Sequence, residues 1–197
     1  MITGEVDVDE GEIWFDDSEI TRWQMYRRAR LGMAYLPQEP SAFRGLTTAE
    51  NVIAILEMNK YTRQQIRERL EALLTEFMMV TRRTIKAKNL SGGERRRLQV
   101  MRAMALQPAF IMPDEPFAGV EPIAVEELQA IVGKLKSKNV GVLITDHNVH
   151  ETLEITDRAY VISAGEILVH GTPKEITQNE IACRVFLGQQ FKLRGVP

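Results

Sequence analysis

The run from Asn89 to Val100, "NLSGGERRRLQV", puts two adjacent glycines where the surrounding pattern asks for the first turn of a helix. In a helix interior each glycine costs about 1 kcal/mol against alanine, and somewhat less at an end. Ser91 with Glu94 three residues on reads as a capping box, which explains those two residues as an ordinary helix start. It leaves Gly92 and Gly93 unexplained. Residues without a Cβ at a helix N-terminus let an anion approach bare backbone N–H groups. The stretch therefore specifies a helix and asks what its bare first turn is for.

Around it the chain alternates. "GEIWF" (11–15) reads as a short strand, and "TRWQ" (21–24) as a Thr-x-x-Gln box opening a helix that runs to about Arg30. The strand "GMAYLP" follows. Boxes at "TTAE" (47–50) and "TRQQ" (62–65) open two further helices; in the second, Ile66, Leu70, Leu73, Leu74 and Phe77 share a face. Beyond Val100, "AFIMPDE" reads as a strand, Val125–Leu135 as a helix and "VGVLITD" as a strand. A helix opened by Asn148 with Glu151 comes next, then a hairpin of "RAYVIS" and "EILVH" turning at Ala164–Gly165. Apolar strands alternating with helices imply an α/β fold with a parallel sheet buried on both faces. The expectation is a single domain over 1–197, with a helical subdomain over about 45–106 that holds the Ser91 turn.

Composition narrows the function classes. A net charge of −2 gives no footprint for a bulk polyanion, so Arg95, Arg96 and Arg97 read as a solvated helix face rather than a nucleic-acid patch. The single cysteine, Cys183, excludes an internal disulfide and fits a reducing compartment. No apolar run reaches the roughly 18 residues needed to span a bilayer.

Chemistry-bearing residues stand at strand ends, where open α/β sheets place their ligands. Asp114 and Glu115 follow the strand "AFIMP"; their side chains splay apart, so one can serve a Mg²⁺ shell while the other polarises a water. His147 ends "VGVLITD" and Gln38 ends "GMAYLP". Each alone also fits a turn residue.

In order, Gln38, Leu90–Glu94, Asp114–Glu115, "AGVEP" (118–122) and His147 resemble the ABC-type ATPase domains. The resemblance implies that Gln38 is the Q-loop glutamine, a ligand or positioner of Mg²⁺. Asp114 becomes the Walker B metal carboxylate, Glu115 the catalytic glutamate and His147 the switch histidine. Ser91, Gly92, Gly93 and Glu94 become the signature turn, offering N–H groups to the γ-phosphate of ATP bound on a second, head-to-tail subunit. Glu121 stands at the D-loop. Phe43 and Arg44, in "SAFRGL", are the expected contact with membrane subunits, although they read equally well as an exposed loop. ATP and Mg²⁺ are the implied cofactors. A second ATPase domain, with homodimerisation, and inner-membrane transporter subunits are the implied partners. The place is the cytoplasmic face of the inner membrane.

Two departures accompany the resemblance. The sequence contains no G-x-x-x-x-G-K-[S/T] run, so the resemblance implies an ABC domain truncated at its N-terminus, beginning inside the helix after the phosphate loop and inactive alone. Pro113 replaces an apolar strand residue and removes a ladder donor, and Glu121 stands where the family has aspartate. Chromosome-maintenance members are excluded, because 39–90 is too short for their long coiled coils. "LSGGERRR", "DEPFAGVEP", "GVLITDHNVHETL", "HGTP" and the tail "VFLGQQFKL" look most like the lipopolysaccharide-export ATPase. Branched-chain amino-acid importer ATPases and a degenerate, non-hydrolysing ABC partner are the alternatives.

Overall fold

Among the described residues, four capping boxes open helices. In each, a Ser or Thr side chain accepts the N–H three residues on, and the side chain there returns to the cap's own N–H. Thr47–Glu50 opens α2 (Thr48–Met58), Thr62–Gln65 opens α3 (Arg63–Glu76) and Ser91–Glu94 opens α4 (Gly92–Met104). The fourth, Thr172–Glu175 with Pro173 in the first turn, opens α7 (Pro173–Gln178) and went unread in the sequence, although Thr-Pro-x-Glu is a full start signal. The computed structural model describes residues 1–39 and 41–187, with backbone alone for 122–124, 185 and 186.

The chain divides into two compact units, one of residues 1–114 and 135–143, the other of 115–134 and 144–197. In the first unit, β1 (Trp14–Phe15) pairs antiparallel with β2 (Ser18–Glu19). The short helix α1 (Met25–Arg30) leads into β3 (Met33–Leu36), which pairs in parallel with β4 (Phe110–Pro113). β4 in turn pairs in parallel with β5 (Gly141–Val142), giving the order β3-β4-β5. One face of this sheet buries Met33 and Met112 with Ile20. Helices α2 and α3 pack together and on α4, and α4 packs on β3. Val52, Leu56, Leu73, Leu74, Leu98 and Met101, none more than 0% exposed, form the interior of the helical part. At about 1.5–3 kcal/mol per buried aliphatic side chain, this burial drives the packing of the three helices.

The second unit holds the short helix α6 (Val149–Leu153) and the antiparallel pair β6 (Ala159–Ser163) and β7 (Glu166–Gly171). Ala164 and Gly165 turn the hairpin with φ of 51° and 84°, the positive pair that a two-residue turn of matching twist requires. Leu153, Val161, Ile176 and Ala182 close its core. Helix α5 (Pro122–Ser137) is longer at both ends than its apolar pattern indicated and is shared between the units.

Three local readings are corrected. The expected box at Thr21 does not form: α1 starts at Met25, and Thr21 Oγ1 instead accepts the Ile13 N–H at 2.8 Å. Asn148 precedes α6 without capping it by its side chain, because its Nδ2 is drawn to Asp146 Oδ1 at 2.7 Å. The strand expected over "VGVLITD" is regular only at Gly141 and Val142, with Leu143 N–H still donating to Ile111 O at 3.0 Å. Pro113 explains the short ladder. Alternate residues of β4, Phe110 and Asp114, give their N–H groups to β3, so position 113 faces the β5 side with no N–H to give.

Candidate active site

The Ser91–Glu94 turn is closed from both directions. Ser91 N–H donates to Glu94 Oε2 at 2.9 Å, and Glu94 N–H donates to Ser91 Oγ at 3.3 Å. The other oxygen, Glu94 Oε1, accepts from Arg82 Nε at 2.7 Å. Arg82 first, then the Ser91 N–H, hold the Glu94 carboxyl below its ordinary value. With both oxygens engaged, the negative charge of Glu94 is answered locally. A Cβ built on Gly92 meets no atom within 4 Å, so the first turn opens to free space. The bare glycine is thus not explained by crowding.

Gln38 is exposed, in the loop after β3. The backbone around it is tied to α4, where the buried Gln99 donates from Nε2 to Pro37 O at 2.9 Å and to Glu39 O at 3.4 Å. Farther along the loop, the fully buried Asn51 of α2 accepts the Phe43 N–H at 2.8 Å and donates to Phe43 O at 3.1 Å. Phe43, 46% exposed, carries the Arg102 guanidinium 4.8 Å above its ring. Arg44 is exposed beside it. The loop end of the Gln38 segment is therefore a fixed, outward-facing aromatic and cation pair.

Asp114 continues the β4 register past Pro113, with its N–H donating to Leu36 O at 2.9 Å, so the strand is not bent away from β3. Its Oδ2 accepts from the Tyr35 hydroxyl at 2.9 Å. Burial, then the Asp114 bond, push the Tyr35 phenol up to about 12, so it stays a donor at neutral pH. Gln38 and Asp114 stand beyond the carboxyl ends of neighbouring strands. Among the described residues no cluster of three or more His, Cys, Asp or Glu could hold a metal ion. A carboxylate with an amide oxygen fits Mg²⁺, which keeps most of its waters and takes the remainder of its shell from phosphate oxygens.

In the second unit the structure brings Glu115 and His147 together, Oε2 to Nδ1 at 3.4 Å. Glu115 has a φ of 43°, a strained value for a residue with a side chain, and its N–H donates to Thr145 O at 2.7 Å. Asp146, whose side chain is fully buried, organises this corner. It accepts the N–H of Phe117 at 2.8 Å and that of Asn148 at 2.8 Å. Glu121 is exposed, and its carbonyl receives the Val125 N–H at the start of α5.

The ABC transporter family model matches residues 1–118. The chain belongs to the ABC transporter ATP-binding family. It is 52% identical to an uncharacterised ABC transporter ATP-binding protein of Rhizobium meliloti, over 98% of this chain and 72% of that protein. Identity to the lipopolysaccharide export system ATP-binding protein LptB is 48% in Haemophilus influenzae and 45% in Escherichia coli K12, each over 98% of this chain and 80% of the relative. Among solved structures it superposes on the ADP conformation of an ATP-binding cassette of an ABC transporter at a TM-score of 0.82 and 26% identity, covering 95% of this chain and 81% of that one. ATP-binding with Mg²⁺, pairing of two such domains and association with membrane subunits follow for this chain at the level of the family.

These matches correct one line of the sequence reading. The family match opens at residue 1 and the cassette superposition takes in nearly the whole chain, so the expectation of an N-terminally truncated domain missing its Walker A part does not stand. Nor does the inactivity inferred from it. The fold is that of the ABC nucleotide-binding domain, a parallel sheet with a helical subdomain. Among the described residues no helix is long and apolar enough to cross a membrane. In the tail "VFLGQQFKL", residues 188–193 lie outside the described residues.

Several site residues were not read in the sequence. Arg82, Asp146 and Tyr35 act on Glu94, on the corner before α6 and on Asp114 from 12, 2 and 79 positions away. Only a buried polar residue amid an apolar helix face, as Gln99 is, carried a readable signal.

Proposed function

We propose that the chain is the ATP-hydrolysing subunit that drives lipopolysaccharide export, working as a homodimer on the cytoplasmic face of the inner membrane. The observation that carries this reading is the likeness to LptB proteins of several bacteria across almost all of the chain. The two compact units are then parts of one ABC domain over 1–197, with 45–106 as its helical subdomain. Several of the relatives it matches are named for the export system, which favours export over amino-acid import.

In this reading Asp114 and Gln38 hold Mg²⁺, which supplies neutralisation of phosphate charge when bound. Tyr35 keeps the Asp114 carboxylate in one orientation. Glu115 takes the proton of the attacking water, and His147, in contact with it, keeps the carboxylate aimed and donates toward the phosphate side. Ser91, Gly92, Gly93 and Glu94 present the bare first turn of α4 to the γ-phosphate held by the partner subunit. Gly92 and Gln99 lie about 10 Å apart along α4, a separation that supports separate nucleotides for the signature turn and the Gln38 loop. Glu121 lies at the subunit contact, one methylene longer than aspartate. Phe43 and Arg44 dock the membrane subunits, and the Asn51 clamp and the Arg102 stack support that role by holding them outward.

Co-expression with the inner-membrane subunits of a lipopolysaccharide exporter tests the proposal. The expected result is co-purification, magnesium-dependent phosphate release and loss of that release in Glu115→Gln. Failure to co-purify, with intact association to an amino-acid importer's membrane subunits, would overturn the export assignment.

A further inference from the structure

Gln99 is 1% exposed, and its neighbours along α4 at Leu98, Val100 and Met101 are buried and apolar. Methionine would fill the same space and ask for no partner, whereas a buried amide must find several. Gln99 finds them in one place. Its Nε2 donates to the carbonyls of Pro37 and Glu39, the residues on either side of Gln38. Its Oε1 accepts from Arg96 Nη1 at 3.0 Å, and Arg96 itself reaches Pro37 O at 3.3 Å. Arg102, one step farther along, donates to Ser41 O. Positions 96, 99 and 102 recur at the three-residue spacing of one helix face, so α4 carries a row of donors along the loop.

Gln38, Glu39 and Ser41 are exposed, and Pro37 and Ser41 border a cavity of about 440 Å³ that Gln99 and Arg102 also line. Hydrogen bonds from α4 run along its course before the Asn51 clamp on Phe43, and two of them flank a single residue.

From this arrangement we infer that Gln99 is a positioning residue for Gln38: by tethering the carbonyls on both sides of it, Gln99 sets where Gln38 presents its side-chain amide. The inference rests on the reading of Gln38 as a residue of the ATPase site. It also makes α4 a rigid link, with the signature turn at its start and the Gln38 loop bracketed one and a half to two turns on.

Two substitutions in the full chain separate this role from plain core filling. Gln99→Met keeps an unbranched side chain of similar size and removes the donors, while water from the cavity side can serve the freed carbonyls. It is expected to leave the thermal midpoint unchanged or raised and to speed tryptic cleavage after Arg44. Its kcat should fall about tenfold with little change in KM for ATP, the signature of a misplaced group. Gln99→Glu keeps shape and the Arg96 bond but sets an acceptor against two carbonyls, and it should show the same kcat loss and the same loosened loop. A core-filling role predicts instead that Gln99→Met, which fills the same space, leaves midpoint, cleavage rate and kcat all at wild-type values. Gln38→Ala is measured alongside. If it lowers turnover while either folded Gln99 variant keeps wild-type kcat and cleavage rate, the inference is overturned. If Gln38→Ala is silent, the reading of Gln38 itself fails, and the catalytic consequence drawn for Gln99 falls with it.

Discussion

The turns that open α4 and α6 both carry charged residues, and they are built in opposite ways. The Ser91–Glu94 turn closes on itself through a reciprocal box, and Arg82 then engages the remaining oxygen of Glu94. The corner at Asp146–Val149 has no such box; its nominal cap, Asn148, hangs from the buried Asp146, which also holds the Phe117 N–H. There Glu115 sits with φ of 43° and His147 is 63% exposed at the side chain. The first turn is determined locally and neutralised locally, which in the proposed function suits a surface that receives an anion unchanged. The second is imposed by partners distant in sequence and stores strain, which in that proposal suits residues aimed at one reacting atom.

The largest effect that would break this contrast lies at Glu115. Glu115→Gln is expected to lower phosphate release by roughly 10²- to 10⁴-fold, the range of general-base loss, while ATP-dependent pairing by size-exclusion chromatography is retained. Wild-type turnover in this variant would remove the strained corner from the chemistry. Gly92→Val addresses the other turn. Nothing lies within 4 Å of the added Cβ, so thermal stability should hold or rise slightly, yet pairing with ATP should be lost. A variant that pairs like wild type would return Gly92 to the status of an incidental helix start.

Stability measurements sharpen the same comparison. Asp146→Ala should cost about 2 kcal/mol in urea unfolding, because several donors lose a buried charged acceptor. Ser91→Ala should cost about 1 kcal/mol, the usual value of a lost cap. Asn148→Ala should stay within about 0.5 kcal/mol, since its side chain caps nothing; a larger loss than at Ser91 would invert the contrast. The smallest effect is in acid. Arg82 and the Ser91 N–H hold the Glu94 carboxyl below its ordinary 4.5. A depressed folded value stabilises the native state above 4.5 and loses that contribution as pH falls through the lower value. Glu94→Gln should therefore show a shallower acid decline than wild type below pH 4.5, and an equal slope would mean the Arg82 pair is not formed in solution.

How far the sequence could be read follows the same division. The boxes at Thr47, Thr62 and Ser91 were legible because a cap and its partner three residues on compete with little else. The pattern at Thr21 is equally good on paper, but its hydroxyl accepts the Ile13 N–H from eight positions away, and that bond prevails. The strand over "VGVLITD" has the right apolar run; how much of it pairs depends on β4, where Pro113 offers no donor. Gln38, Asp114, Glu115 and His147 were legible as residue types at strand ends. What orients them was not legible.

Local sequence by itself determined the helix starts, the bare glycine turn at Gly92, the positive-φ hairpin turn at Ala164–Gly165 and the order of site residues along the chain. Each depends on interactions within a few positions, where chain connectivity already brings the partners together. Tertiary structure decided that Tyr35 bonds Asp114, that Gln99 brackets Gln38, that Arg82 answers Glu94 and that His147 meets Glu115. Those partners meet only after the sheet register and the helix packing have paid the entropy of closing the chain between them, and no short-range pattern encodes which distant donor will be in reach when they do.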